Sequence, residues 1–230
     1  MTIHIIEKDE REEKFATLRS LGVELSVPVP EVFVSRKIEN PGCETIIKDG
    51  RSHTYVRNFY NLLFAHVAGI ASYTSATYGA GDLNFRATNG TVYGANGTMR
   101  TTLPELITTA TYTDTAGIVI GTSDTAYSFE QYALGALIAH GTGSGRMSYQ
   151  AMTQQTPVYT AGTKEWSQTA KRVFNNNSDG SIGVNEVGWG FRSATGNLAL
   201  LVRDVLASTD TINVGGQYTV TYTVKLTFPA

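Results

Sequence analysis

The sequence predicts a mainly β protein: an antiparallel, jelly-roll-like β-sandwich with one embedded amphipathic helix and an N-terminal helical and extended arm. Three observations carry that expectation. The run QYTVTYTVKLTF (217–228) sets Tyr218, Val220, Tyr222, Val224, Leu226 and Phe228 on one side and Gln217, Thr219, Thr221, Thr223, Lys225 and Thr227 on the other. That strict alternation belongs to a long antiparallel strand with one buried face and one polar face. The composition suits pleated sheets and tight turns, with 31 Thr, 12 Tyr and 23 Gly among 230 residues and only 17% charged. Finally, FRATNGTVYGANGTMRTT (85–102) holds two Asn-Gly pairs, Asn89-Gly90 and Asn96-Gly97. Both residue types tolerate the positive φ of a hairpin turn.

Taken in order, the elements begin with a helix over Lys8 to Leu21, where Phe15, Leu18 and Leu21 form a narrow apolar stripe and Gly22 supplies a stop. The following LSVPVPEVFV (25–34) reads as extended, because each proline biases its predecessor away from the helical region. Pro28 and Pro30 make it an edge strand at best. Residues 1–60 hold 19 of the 38 charged side chains, which places a boundary in the 50s. An arm over 1–50 and a sandwich over 51–230 follow from it, and the arm's stripe requires an outside surface to cover it. Ser52 to Ser72 is the strongest helix. Tyr55, Phe59, Leu62, Leu63, His66, Val67 and Ile70 share one face, which reads as core-facing. A membrane-surface helix would need a basic opposite face, and only Arg57 is available. Further strands are expected at Gly117–Gly121, Arg146–Met152, Trp166–Asn175, Ile182–Gly188 and Asn197–Leu206.

Charge and motif content exclude several functions. A formal net charge of −2 gives no clustered Lys/Arg excess for neutralising phosphates, so no nucleic-acid partner is expected. No apolar run reaches the ~20 residues of a bilayer span, and the acidic stretch after MTIHII is unlike a secretory signal. Cys43 is the single cysteine, which excludes a disulfide framework or a multi-cysteine metal site. G-x-S-x-G is absent, and His4, His53, His66 and His140 form no metal-spaced pair. The glycine loop His140–Arg146 lacks both the P-loop ending and the dinucleotide spacing, and reads as a sharp bend or a subunit contact. No catalytic residue and no cofactor are expected.

One segment is a partial match to a calcium loop. In NNNSDGSIGVNE (175–186) the ligand positions fall on Asn177, Asp179 and Glu186, with Gly180 at the bend, while Asn175 takes the place of the first acidic ligand. Strand-like flanks favour a plain hairpin loop instead. The calcium loop is carried as the minor reading, attached to a carbohydrate-binding, receptor-recognition sandwich. A glycan-cleaving enzyme with dispersed carboxylates is a third reading.

Several segments together resemble virion structural proteins of tailed bacteriophages. They are GIVIGTSDTAYSFEQYALGALIAHGTGSGRMSY (117–149), RVFNNNSDGSIGVNEVGWGF (172–191), LALLVRDVL (198–206), QYTVTYTVKLTF (217–228) and the helix SHTYVRNFYNLLF (52–64). Trp189-Gly190-Phe191 departs from the shorter pair usual there. The resemblance implies a non-enzymatic virion component, made in the host bacterial cytoplasm, whose partners are copies of itself and other capsid, neck or tail proteins. The residues expected at such interfaces are Phe15, Leu18 and Leu21 in the arm and Tyr132, Leu134, His140 and Arg146 in the loop.

Overall fold

The computed structural model describes residues 1–52, 54–67, 78–79, 82–94, 112–192 and 196–228. Its elements are β1 (Thr2–Ile6), α1 (Glu12–Glu24), β2 (Val29–Glu39), β3 (Thr45–Ser52), α2 (Arg57–Val67), β4 (Phe85–Arg86), β5 (Val92–Tyr93), β6 (Gly117–Gly121), β7 (Ser148–Tyr149), β8 (Thr153–Gln154), β9 (Val158–Thr160), β10 (Glu165–Asn175), β11 (Ile182–Arg192), β12 (Leu198–Ile212) and β13 (Gln217–Thr227). Two sheets pack together as the expected sandwich. The larger runs β1-β3-β2-β13-β10, with β7, β8 and β9 placed along the far edge of β10, and the smaller is β12-β11-β6. Every pairing in them is antiparallel except β1 on β3, which is parallel.

β13 lies centrally in the larger sheet, paired along its length with β10 and β2. Its alternation holds in full over the first half: Tyr218, Val220 and Tyr222 are fully buried in the shared core, each worth about 1.5–3 kcal/mol of apolar transfer or somewhat more for the rings. Val224 and Leu226 are only half-buried, and Phe228, past the end of the strand, is exposed. Trp189 of β11 stacks on Tyr222 across the sandwich with ring centroids 5.4 Å apart. From β10, Arg172 passes through the core and donates to the carbonyls of Thr113, Ala116, Ile118 and Gln150. One side chain thereby satisfies carbonyls that the short loop around β6 would otherwise bury unpaired.

Four expectations are corrected here. The arm is no appendage, because β2 sits inside the larger sheet between β3 and β13. Nor is β2 an edge strand: β3 joins it only from Val32 onward, so Pro30 lies where one side of β2 is bare and no ladder donor is missed there. Gly22 does not end α1. The helix runs to Glu24 and closes with Val27 N–H on Gly22 O and Ser26 N–H on Val23 O, with Ser26 at φ 55°, the Schellman pattern. Gly22 is instead a point of close approach, where a Cβ would collide with Val29 and the Val27 carbonyl. Lastly, residues 176–181 are not a hairpin loop, since β10 and β11 belong to different sheets. They cross over beside the 213–216 loop, which makes the return crossing. Buried Asn176 ties the two, donating to Gly180 O at 2.9 Å and to Ile212 O at 2.8 Å.

The large helix is also turned from its expected orientation. α2 starts at Arg57, after Ser52 has closed β3, and its buried residues are Asn58, Asn61 and Ala65. Asn58 donates to Arg86 O and Leu200 O and accepts from Arg86 N–H, at 2.9–3.0 Å. α2 therefore packs on the edge of β12 and on β4, where free backbone groups demand polar partners. Of the expected apolar face, Tyr55, Phe59 and Leu62 are half-buried, with Tyr55 and Leu62 packed on the buried clusters, while Leu63 is 49% exposed. Tyr60 and Phe64, which lie outside that face, are 47% and 59% exposed. The side chains of His66 and Val67, residues 68–72, His53 and Asn96-Gly97 lie outside the described residues. Asn89-Gly90 does form the β4–β5 turn, with only Gly90 at positive φ (84°). The expected strand over 146–152 contracts to β7.

Candidate interaction surface

Ionisable groups in the sandwich are heavily committed to one another. Asp210, fully buried, accepts from Arg36 and Lys48 at 2.6 Å and from the Tyr218 hydroxyl at 2.8 Å, while Arg36 also pairs with Glu7. Burial alone would depress Arg36, but Tyr218, Asp210 and Glu7 together raise its pKa above the ordinary value. Burial, reinforced by Asp210 and Asp204, holds the Tyr218 and Tyr222 hydroxyls well above theirs. Asp204 accepts from the hydroxyls of Ser52, Thr54 and Tyr222. Its neighbour Arg203 points to the other face of β12 and bonds Glu186 at 2.6 Å, both side chains having no exposed surface.

Glu186 decides the fate of the calcium loop. Its carboxylate also accepts from Gly135 N–H at 3.0 Å and Ala136 N–H at 2.8 Å, inside β11 and away from the 176–181 crossing. Asn177 donates to Ser148 Oγ, and Asn175 accepts from Gln217. The four loop positions therefore do not converge, because the strand begins at Ile182 and carries Glu186 into the core. Among the described residues no three or more His, Cys, Asp or Glu side chains are gathered to hold a metal ion.

At the surface, α1 lies across the polar face of the larger sheet near β2 and β3. Arg19 reaches Glu31 at 2.7 Å and Glu12 at 3.2 Å, and Arg51 from β3 reaches the same two carboxylates at the same distances. The Arg19 hydrogen bond, with Arg51's charge, holds the Glu12 carboxyl below its ordinary pKa. Phe15 lies under the Arg51 guanidinium, 4.1 Å from ring centroid to carbon, and is half-buried. Leu18 and Leu21 share a flank with Leu25 by their spacing, and they are 47%, 45% and 66% exposed. The predicted stripe is thus split, with Phe15 fastening the helix and the leucines open.

The four loop residues do not form one patch. Leu134 is 8% exposed and belongs to the hydrophobic core, so it is withdrawn as an interface residue; the loop tucks it over Gly188, where only a glycine leaves room. Half-buried Tyr132 lies under the Arg86 guanidinium at 4.0 Å. His140 accepts Tyr149 N–H on Nδ1 at 3.1 Å, and its backbone N–H donates to Asp114 at 2.9 Å. Exposed Arg146 folds back over Gly141 to reach the His140 carbonyl at 3.4 Å. The loop is a closed bend.

Two surfaces escape sequence reading. Tyr60, Tyr127 and Phe129 form an exposed aromatic group at the start of α2, with Tyr60 and Phe129 centroids 5.7 Å apart and the Tyr127 hydroxyl donating to Tyr55 O. A groove of about 500 Å³ runs between the β1–α1 connection and the larger sheet, lined by Ile6, Glu12, Phe33, Asp49, Arg51 and Lys225 among others. No protein-family model, curated protein or solved structure matches the chain.

Proposed function

We propose that this chain is a non-enzymatic structural subunit of a tailed-phage virion, assembled in the host cytoplasm, that works by self-association and by docking on other virion proteins. The observation that carries the reading is the attachment of α1. Charge and a cation–π contact hold it to the sheet through Glu12, Phe15 and Arg19, so its leucine flank is not consumed by folding. Exposed apolar side chains grouped on one element mark association surfaces.

The test is the solution mass of the Leu18→Ser/Leu21→Ser variant beside wild type. Loss of assembly with an unchanged circular dichroism spectrum supports the flank as the interface. Assembly equal to wild type removes it. Phe15 is left unchanged, because its substitution would loosen α1 itself.

A glycan-binding reading keeps one supporting observation now that its calcium version has gone. Tyr159 and Trp166 are 48% and 42% exposed, with ring centroids 5.6 Å apart, a platform on which a sugar face could stack. Quenching or enhancement of Trp166 fluorescence on titration with host glycans, lost in Tyr159→Ala, would support it.

A further inference from the structure

The N-terminal strand is ordered in a way that its own burial does not explain. All of β1, Thr2–Ile6, is exposed, with Ile3 and Ile5 at 39% and 40% and Ile6 at 77%. It is held by parallel pairing to β3, continued by Thr45 N–H on Met1 O and Glu7 N–H on Asp49 O, and by the His4 ring on Asp49. Those two bonds also fix which way its backbone points. Met1 and Glu7 turn toward β3, and alternation along a strand sends Ile3 and Ile5 the same way. Thr2, His4 and Ile6 then direct both N–H and C=O to the open edge.

Among the described residues, the other edges of the two packed sheets are blunted. β12 is met along one half by Thr54, Val56, Asn58 and Thr88, and Lys48 and Asn40 reach across to Ser208 and Thr211. β6 is covered by the 136–138 segment. β7, β8 and β9 are two or three residues long. β1 has no proline, no lysine and no bulge, the devices that keep an edge from pairing.

We infer that β1 is a docking edge for β1 of a second copy, paired antiparallel about a two-fold axis through His4. In that register Thr2 faces Ile6 and His4 faces His4, so the residues whose backbone points outward are those that exchange hydrogen bonds. Ile3 then meets Ile5 of the second copy on the core-side face, beside Ile46, and each His4 keeps its own hydrogen bond with Asp49. This register overlaps all five residues of TIHII and sets every outward-pointing residue opposite another, a fit that a second copy supplies. Met1, Ile3, Ile5 and Ile6 with the edge backbone offer on the order of 500 Å² per copy, near the lower limit for a specific interface. The dimer is therefore a concentration-dependent one.

The partner being another copy agrees with the self-association proposed above, but the surface is separate from the leucine flank of α1, and the test tells them apart. Sedimentation of the full chain over a concentration series is compared for wild type, His4→Val, His4→Pro and Leu18→Ser/Leu21→Ser. His4→Pro removes the outward N–H at the centre of the edge and leaves the N–H groups facing β3; His4→Val removes the ring and keeps that N–H. Expected is a wild-type dimer, retained in His4→Val and weakened about tenfold or more in His4→Pro, as befits two lost bonds, with the two variants, which both lack the ring on Asp49, melting at the same temperature. A dimer equally strong in His4→Pro overturns the inference, and if the α1 variant alone is monomeric the flank proposal survives without it. A wild-type monomer at every concentration also overturns it.

Discussion

Removing the charge of Glu186 is the most informative perturbation of the core. In Glu186→Gln the side chain keeps its shape, but an amide N–H₂ replaces one carboxylate oxygen. Whichever way it is turned, it sets a donor against another donor, either Ala136 N–H or the Gly135 N–H and Arg203 Nε–H pair. Arg203 stays buried with Gln131 as its remaining polar side-chain partner, and its Nη2 already has none. Breaking a fully buried pair from one side costs about 3–5 kcal/mol. For a chain of this size that lowers the melting temperature by roughly 6–20 °C.

Urea unfolding followed by tryptophan fluorescence reads the loss directly, because Trp189 sits on the same strand as Glu186. The second arm is Glu186→Leu with Arg203→Met. Removing both charges spares the unpaired-cation cost, leaving the N–H groups of Ser123, Gly135 and Ala136 orphaned at about 1–3 kcal/mol each. The double variant should therefore be more stable than the sum of its single variants by at least about 1.5 kcal/mol. A Glu186→Gln loss below about 1 kcal/mol, or strict additivity in the cycle, would refute the role assigned to this pair.

Three further outcomes follow from the same structure. Tyr149, Tyr218 and Tyr222 keep their protons in the fold well beyond the ordinary value, chiefly through burial. The unfolded chain releases them near pH 10, so their contribution is complete below that pH and is lost above it at about 1.4 kcal/mol per pH unit each. Burial pushes Arg172 down to about 10, which has the opposite sign above pH 10 and cancels one of them. These four groups together give about 3 kcal/mol per pH unit. Tyr55 and Tyr78, also raised by burial, add to it with the same sign, and a urea midpoint that stays flat from pH 10 to 11 would contradict it. Ser26→Gly should stabilise by about 0.5–1 kcal/mol, since Ser26 occupies the left-handed C′ position of α1 at φ 55°, as thermal melts would show. Calcium at millimolar concentration should leave calorimetric heats and melting temperature unchanged, because Glu186 is bound to Arg203.

What could be read from the sequence follows how locally each feature is determined. β13 and β6 were legible, since alternation in one and an apolar run bounded by glycines in the other need no knowledge of partners. The placement of 29–52 was not, because the charges of β2 and β3 resemble those of a solvated arm. Arg36 and Lys48 are buried by Asp210, a residue 160 or more positions distant. Glycines gave a similarly mixed signal. Gly90 marks a turn, but Gly22, by composition a helix stop, is a gap filled by Val29.

The surface was harder to read than the fold for one physical reason. Periodicity identifies a face, but it does not say whether that face meets apolar side chains or unpaired backbone. α2 has the strongest apolar stripe in the chain, yet it packs on strand edges and so buries Asn58 and Asn61, turning Tyr60, Leu63 and Phe64 outward. α1 has the weaker stripe and divides it, with Phe15 taken by Arg51 and Leu18 and Leu21 left free. β1 carries no periodic signal that separates a core strand from an edge, so its exposure was invisible until β3 was placed beside it. In α2 and β1 the open surface is set by which backbone groups a neighbour must satisfy, and in α1 by which side chains the ion pairs of the sheet take up. Because buried ion pairs and hydrogen bonds already tie the two sheets together through Asp210 and Asp204, folding does not require this apolar surface to be covered.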